Sequence, residues 1–341
     1  MALVFVWMFI LFAGGMLLTI FFMIASGQAN AAQERLERNA LEQVNTILSA
    51  QQASPDSSLA TNIPQTNIRL TCEAIREGNT VLLLSQLQIG SYTRSLETEL
   101  VAGRDMETGR LILFSKGIQT PFTIGNVLLV TNPQELLVVP TNNLAAQNRQ
   151  RFLDAIPQEI QDERLVVEVI PDNTRTFSTI RHVTMGNSAP VSITARPGVQ
   201  YIHVRYENNI LERGEISFFE EGEWRGGYHY VGEGMLFALL WQAETARANC
   251  MQHKLTTAIQ RQAFIQELRM SFLTQSYLAS QSDSSCTDNY LVNRMENLRT
   301  SMTLDSSAVA LYDFSELYAR VSAVRELNER LLRGDRCASI Y

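Results

Sequence analysis

The sequence predicts an α+β protein with an N-terminal transmembrane helix and stalk, a mixed β-sheet head with a few helices, and a C-terminal helical hairpin or bundle. Three observations predict it. No Lys, Arg, Asp or Glu precedes Glu34. Short alternating or apolar runs separated by turn residues fill 67–233, and 235–279 contain neither Pro nor Gly. The 341 residues therefore divide into 1–26 (transmembrane helix), 27–50 (amphipathic stalk), 51–66 (linker), 67–233 (head) and 234–341 (helical region).

The leader comes first. Residues 2–25 read ALVFVWMFILFAGGMLLTIFFMIA, with Thr19 the polar exception. As a helix this run would be about 36 Å long at 1.5 Å per residue, enough to cross a hydrocarbon core of roughly 30 Å. A lipid bilayer is thus the expected partner of residues 2–25. Gly14-Gly15 offers a small-residue spot where a second helix could approach, although Gly is in any case common in membrane helices. Cleavage after Ala31, at Ala29-Asn30-Ala31, is the alternative fate. The apolar run is too long for a signal peptide and no basic n-region precedes it, so a retained anchor is favoured.

Orientation rests on two opposed signals. Arg35 and Arg38 follow the span, which favours a cytoplasmic body. Cys72, Cys250, Cys286 and Cys337 all lie beyond it, even in number and without a CxxC pair, which suits disulfides in an oxidising compartment. The body is read as extracytoplasmic, on the cell membrane. Of the three possible pairings, Cys72 with Cys250 and Cys286 with Cys337 is preferred, and the others stay open.

The stalk places Leu36, Leu41, Val44, Ile47 and Leu48 mostly on one helical face. The small, polar stretch 51–66, broken by Pro55 and Pro64, reads as a linker. In the head, Ile68–Cys72 alternates, Thr80–Leu84 and Leu111–Phe114 are apolar, and Val127–Val130 and Leu136–Val139 flank the turn signal Asn132-Pro133. A helical window from Ala145 to Ile156 precedes the strand 165–170, allowing a βαβ unit between 127 and 170. Val191–Ala195, Tyr201–Tyr206 and Gly214–Phe219 continue the strand pattern. Beyond Gly234, one long helix is expected over 235–279. A polar loop (281–289) and helices at 290–302 and 306–333 follow, the last ending at Gly334.

Charge excludes one class of function. The net charge of -7 and pI near 5.3 argue against nucleic-acid binding. Residues 234–341 hold equal numbers of basic and acidic groups, so the whole -7 falls on 34–233. All but Lys116 and Lys254 of the 28 Lys and Arg residues are Arg, a compositional bias.

Motifs for chemistry are sparse. GxSxG, HExxH, Walker A and full GxGxxG patterns do not occur, and no cofactor or metal is expected. His229 and Glu233, in YHYVGEGM, are the one pair worth weighing as an acid/base or metal set. His203, between Ile202 and Val204, is expected on the polar face of a strand. Glu220–Trp224 reads as a hairpin tip, where Trp224, Arg225, Tyr228 and Tyr230 would form an interaction patch.

The leader VFVWMFILFAGGMLL, the strand ending in IRLTCE, the segment PFTIGNVLLVTNPQELLVV, and YVGEGMLFALLWQAETARANC resemble in layout a group of uncharacterised single-pass membrane proteins of archaea, especially small-genome lineages. The resemblance implies a membrane-anchored envelope protein without assigned activity. The chain is also similar, more weakly, to type IV pilin-like proteins in placing an apolar helix before a β-rich head. It departs from them in lacking a basic leader ending in Gly and an early Glu. The expected function is a non-enzymatic cell-envelope structural or interaction protein, with a protein partner or a second copy at its head. The alternatives are a small-ligand module or enzyme on the 127–233 core, and a pilin-like filament subunit.

Overall fold

The computed structural model describes residues 2–279, apart from 78–79, 97–99, 104, 120–122, 141–145, 163–165, 168, 171–176, 191–192, 207 and 243, and beyond 279 only Glu326 and Glu329. The expected helices at 290–302 and 306–333, and Cys286 and Cys337, lie outside the described residues. The fold is α+β, with one long apolar N-terminal helix, two mixed six-stranded sheets and a few further helices.

Helix α1 (Ala2–Gln52) runs unbroken through leader and stalk. It is long and apolar enough to cross a membrane, and its described apolar residues are exposed, including Phe12 at 76% and Phe22 at 75%. Thr19 turns its hydroxyl back to the Gly15 carbonyl at 2.8 Å, so the one polar side chain of the run is satisfied within its own helix. The far end of α1 is not a free stalk. Ala40, Leu41, Val44 and Leu48 are buried against a β-sheet, and Leu36, expected on the same stripe, remains exposed.

That first sheet contains β1 (Ser58–Glu77), β2 (Thr80–Ile89), β3 (Tyr92–Ser95), β4 (Leu100–Ala102), β5 (Met106–Gln119) and β6 (Thr123–Thr131). Their spatial order is β3-β2-β1-β5-β6-β4, with β4 and β6 the parallel pair. Strand β1 enters the stretch expected to be a linker, and Pro64 is the reason the sequence misleads. It sits where the β1–β5 register shifts between Asn62 and Thr66, an irregularity that tolerates a residue without an N–H. The apolar runs are explained by burial on both faces. Leu111 and Leu113 of β5, with Leu128 and Val130 of β6, face α1, whereas Ile112, Phe114, Val127 and Leu129 face the opposite side. A disulfide ties Cys72 of β1 to Cys250, with 6.1 Å between Cα atoms. This is the first half of the preferred pairing.

The second sheet contains β7 (Glu135–Val138), β8 (Val166–Val167), β9 (Thr179–Met185), β10 (Val199–Tyr206), β11 (Arg213–Glu220) and β12 (Glu223–Val231). The order is β12-β11-β10-β9-β7-β8. The turn at Asn132-Pro133 does not close a hairpin. β6 and β7 belong to different sheets, and the turn, fixed by the Glu135 N–H on the Asn132 carbonyl at 3.1 Å, carries the chain between them. The βαβ unit forms from β7 through α2 (Ala146–Asp154) and α3 (Gln158–Asp162) to β8, which is parallel to β7.

The expected single helix over 235–279 is instead two, α4 (Glu233–Leu240) and α5 (Thr245–Ala279). No Pro or Gly marks the break; tertiary contacts make it. The α5 N-terminus is taken over by the β11–β12 hairpin. The Thr245 N–H donates to Glu220 Oε1 at 2.9 Å, its hydroxyl donates to the same carboxylate, and Tyr228 Oη donates to the Thr245 carbonyl at 3.0 Å. Helix α4 is apolar all round and buried at every position from Gly234 to Leu240. It fills the space between the sheets, against Phe114 of the first and Phe218 of the second. A buried ion pair closes this layer. Arg181 Nη1 meets Glu135 Oε2 at 2.7 Å, each side chain only 2% exposed. The Thr131 hydroxyl also donates to that carboxylate at 2.8 Å, and the guanidinium lies 5.7 Å from the Trp241 ring centre.

Candidate functional site

A polar cleft of about 390 Å³ opens where three elements meet: the turn after α1, the C-terminal half of β5, and the α2–α3 connection. The turn is stiffened by the Gln51 amide on the Ser57 hydroxyl at 2.8 Å, and Asp56 adopts a left-handed φ of 52°. Gln161 fixes the opposite wall by donating to the Leu153 and Ile156 carbonyls at 2.9 and 2.8 Å.

Two adjacent residues of β5 give the cleft its character. Ser115 is fully buried, its N–H bonded to the Ser57 carbonyl at 2.8 Å, yet its hydroxyl has no hydrogen-bond partner. Lys116, 14% exposed, sits between Asp56 at 3.5 Å and the Glu233 carboxylate, with its ammonium 5.9 Å from the Phe237 ring centre. Asp154, on the facing wall, is exposed and accepts from the Gln150 amide at 2.6 Å. One ammonium thus stands among three carboxylates and two serine hydroxyls, those of Ser58 and Ser115. Bound groups that both donate and accept hydrogen bonds suit such a lining best.

The residues singled out in the sequence are dispersed. Glu233 reaches Lys116, while His229 lies on β12 opposite Glu215, and the cleft is lined by neither. The hairpin tip forms as expected, with a two-residue turn at Glu221-Gly222 in which both φ angles are positive. The patch expected beside it is split. Arg225 is exposed and pairs with Glu221 at 2.6 Å, and Trp224 is half-buried. Tyr228 and Tyr230 are buried, because after the β11–β12 irregularity they point into the inter-sheet core. Burial and the nearby Glu220 carboxylate push the Tyr228 hydroxyl up to about 12. Burial pushes Tyr230 up too, and its hydroxyl donates to the Ile210 carbonyl at 2.7 Å.

His203 corrects another expectation. It does face away from Ile202 and Val204, but it is 3% exposed instead of solvated. The connection between β9 and β10, residues 186–198, covers it. Trp224 Nε1 donates to the Pro190 carbonyl at 3.0 Å and Tyr201 Oη to the Thr194 carbonyl at 3.1 Å, strapping that connection down. Beneath lie His182 and His203 with Tyr201, Phe219 and Trp224, successive ring centres 5.4–6.4 Å apart. Burial pulls both histidines below their ordinary value, with Arg196 of the strap adding to the effect at His182 and Arg205 at His203.

Among the described residues no three His, Cys, Asp or Glu side chains gather to hold a metal ion. The chain matches no family model, no curated protein and no solved structure. The cleft residues were missed in the sequence, where Lys116 counted only as one of two lysines. That rarity was the available signal. A compact ammonium in an Arg-rich chain marks a place where a planar guanidinium does not fit.

Proposed function

We propose that the chain is a single-pass, membrane-anchored cell-envelope protein whose extracytoplasmic head binds another protein and carries out no catalysis. The observation that carries this reading is the continuity of α1. The same helix is exposed and apolar along its first half and buried in the first sheet at Ala40, Leu41, Val44 and Leu48. A segment so joined to the head suits a retained anchor better than a leader removed after Ala31. The Cys72–Cys250 disulfide supports an oxidising compartment, and a Cys286–Cys337 bond is proposed as its companion. With Tyr228 and Tyr230 in the core, the protein-binding role at the hairpin tip rests on Trp224 and Arg225.

Thiol labelling of intact cells tests side and redox state together. Expected is no labelling of Cys72 or Cys250 until reductant is added, and then labelling without lysis. Labelling that requires lysis but no reductant overturns the extracytoplasmic reading. Crosslinking after mild detergent extraction tests the partner, and recovery of the monomer alone counts against it.

A further inference from the structure

We propose that the cleft at the end of α1 binds a neutral polyhydroxylated ligand of the sugar class, with Ser115 and Lys116 as its central contacts. The volume of about 390 Å³ is within the range of small-molecule sites. Charge narrows the class. An anion would meet Asp56, Asp154 and the Glu233 carboxylate, and a cation would meet the Lys116 ammonium at the centre. A metal ion has no group of three ligating side chains among the described residues. A hydroxyl donates and accepts at once, which matches a lining of carboxylates, serine hydroxyls, a glutamine amide and one ammonium.

The second, independent observation is Ser115. A fully buried hydroxyl without a partner costs stability, and here it stands in the wall of the largest described cleft. A ligand hydroxyl in the cleft supplies the missing bond. Lys116 fits the same role. Its stem lies by Phe237 and its charge is offset by Asp56 and Glu233, leaving a donor held in place by two acceptors. The inference concerns the cleft alone and is independent of which side of the membrane the head occupies.

The test uses the full chain in detergent and three probes that differ only at one carbon: glucose, glucose 6-phosphate and 6-amino-6-deoxyglucose. Binding is followed by saturation-transfer NMR and calorimetry in the millimolar range. Expected is saturable binding of glucose, with the phosphorylated and aminated probes weaker by about tenfold. Ser115→Ala should weaken glucose roughly fivefold to tenfold, the loss of one hydrogen bond, while leaving the melting temperature unchanged or higher. A purely structural serine would not give that combination. Lys116→Met should abolish binding. Should that variant misfold, Asp154→Asn at the exposed wall replaces it, with an expected loss of about threefold or more. No saturable glucose binding by the parent protein, equal affinity for all three probes, or unchanged affinity in Ser115→Ala and Asp154→Asn overturns the proposal.

Discussion

The two sheets share one inner core around α4 but solve the problem of their outer faces differently. The first sheet is covered by a helix, with Ala40, Leu41, Val44 and Leu48 of α1 laid on Leu111, Leu113, Leu128 and Val130. The second is covered over its β9–β12 portion by an irregular strap, held by side-chain hydrogen bonds to the Pro190 and Thr194 carbonyls above a layer of rings and histidines. Apolar contact is non-directional and insensitive to pH, whereas the strap depends on a few directed bonds and on two histidines staying neutral. The first sheet should therefore behave as the fixed half of the molecule and the outer face of the second as its adjustable half.

The largest expected effect probes what the halves share. Arg181→Met leaves Glu135 buried without its cation and should cost about 3–5 kcal/mol, read from denaturant unfolding. The double variant with Glu135→Gln should recover part of the loss. A cost below about 1 kcal/mol would show that the pair does not pin the layer. Leu48→Ala opens a cavity under α1 and should cost about 2–4 kcal/mol, with faster amide exchange in β1 and β5 and none in the strap. Exchange spreading equally to both sheets would erase the proposed division. Trp224→Phe removes one strap bond and should cost about 1 kcal/mol, its exchange effect confined to residues around 186–198.

The smallest effect is the pH response. His182 and His203 both have pKa values lowered from 6.5 in the closed state, chiefly by burial. Their contribution to strap closure is therefore present in full above 6.5 and is lost as pH falls from there through the lowered values. Arg196 on the strap and Arg205 of β10 oppose protonation, and Glu215, paired with Arg205, moderates it. Exchange at 186–198 should rise between about pH 6.5 and 5 while α1 and β5 stay protected. His253 on α5, also lowered by burial, acts in the same direction. An equal response in His182→Gln/His203→Gln would assign the effect to His253 instead.

This contrast also explains what the sequence revealed. Periodic features were legible: the α1 stripe, the doubly buried runs of β5 and β6, and the hairpin at Glu221-Gly222. Features made by contact between distant segments were not. Glu220 caps a helix 25 residues further on and splits 235–279 without any breaker residue. Pro64 is absorbed by a register shift, Asn132-Pro133 switches sheets instead of closing a hairpin, and His203 obeys strand alternation yet is covered by a loop. The cleft escaped for the same reason, since Asp56, Lys116 and Asp154 meet only through the packing of three separate elements.

One consequence of the unbroken α1 is mechanical. Between the end of the apolar run and the first residues buried in the sheet, the helix adds a stand-off of roughly 20 Å at 1.5 Å per residue. Across it, no Pro interrupts the backbone and no loop uncouples the two ends. A bilayer gripping residues 2–25 would hold the head at a set height and heading, like a flag on a mast, and any tilt of the span would swing the cleft through an arc.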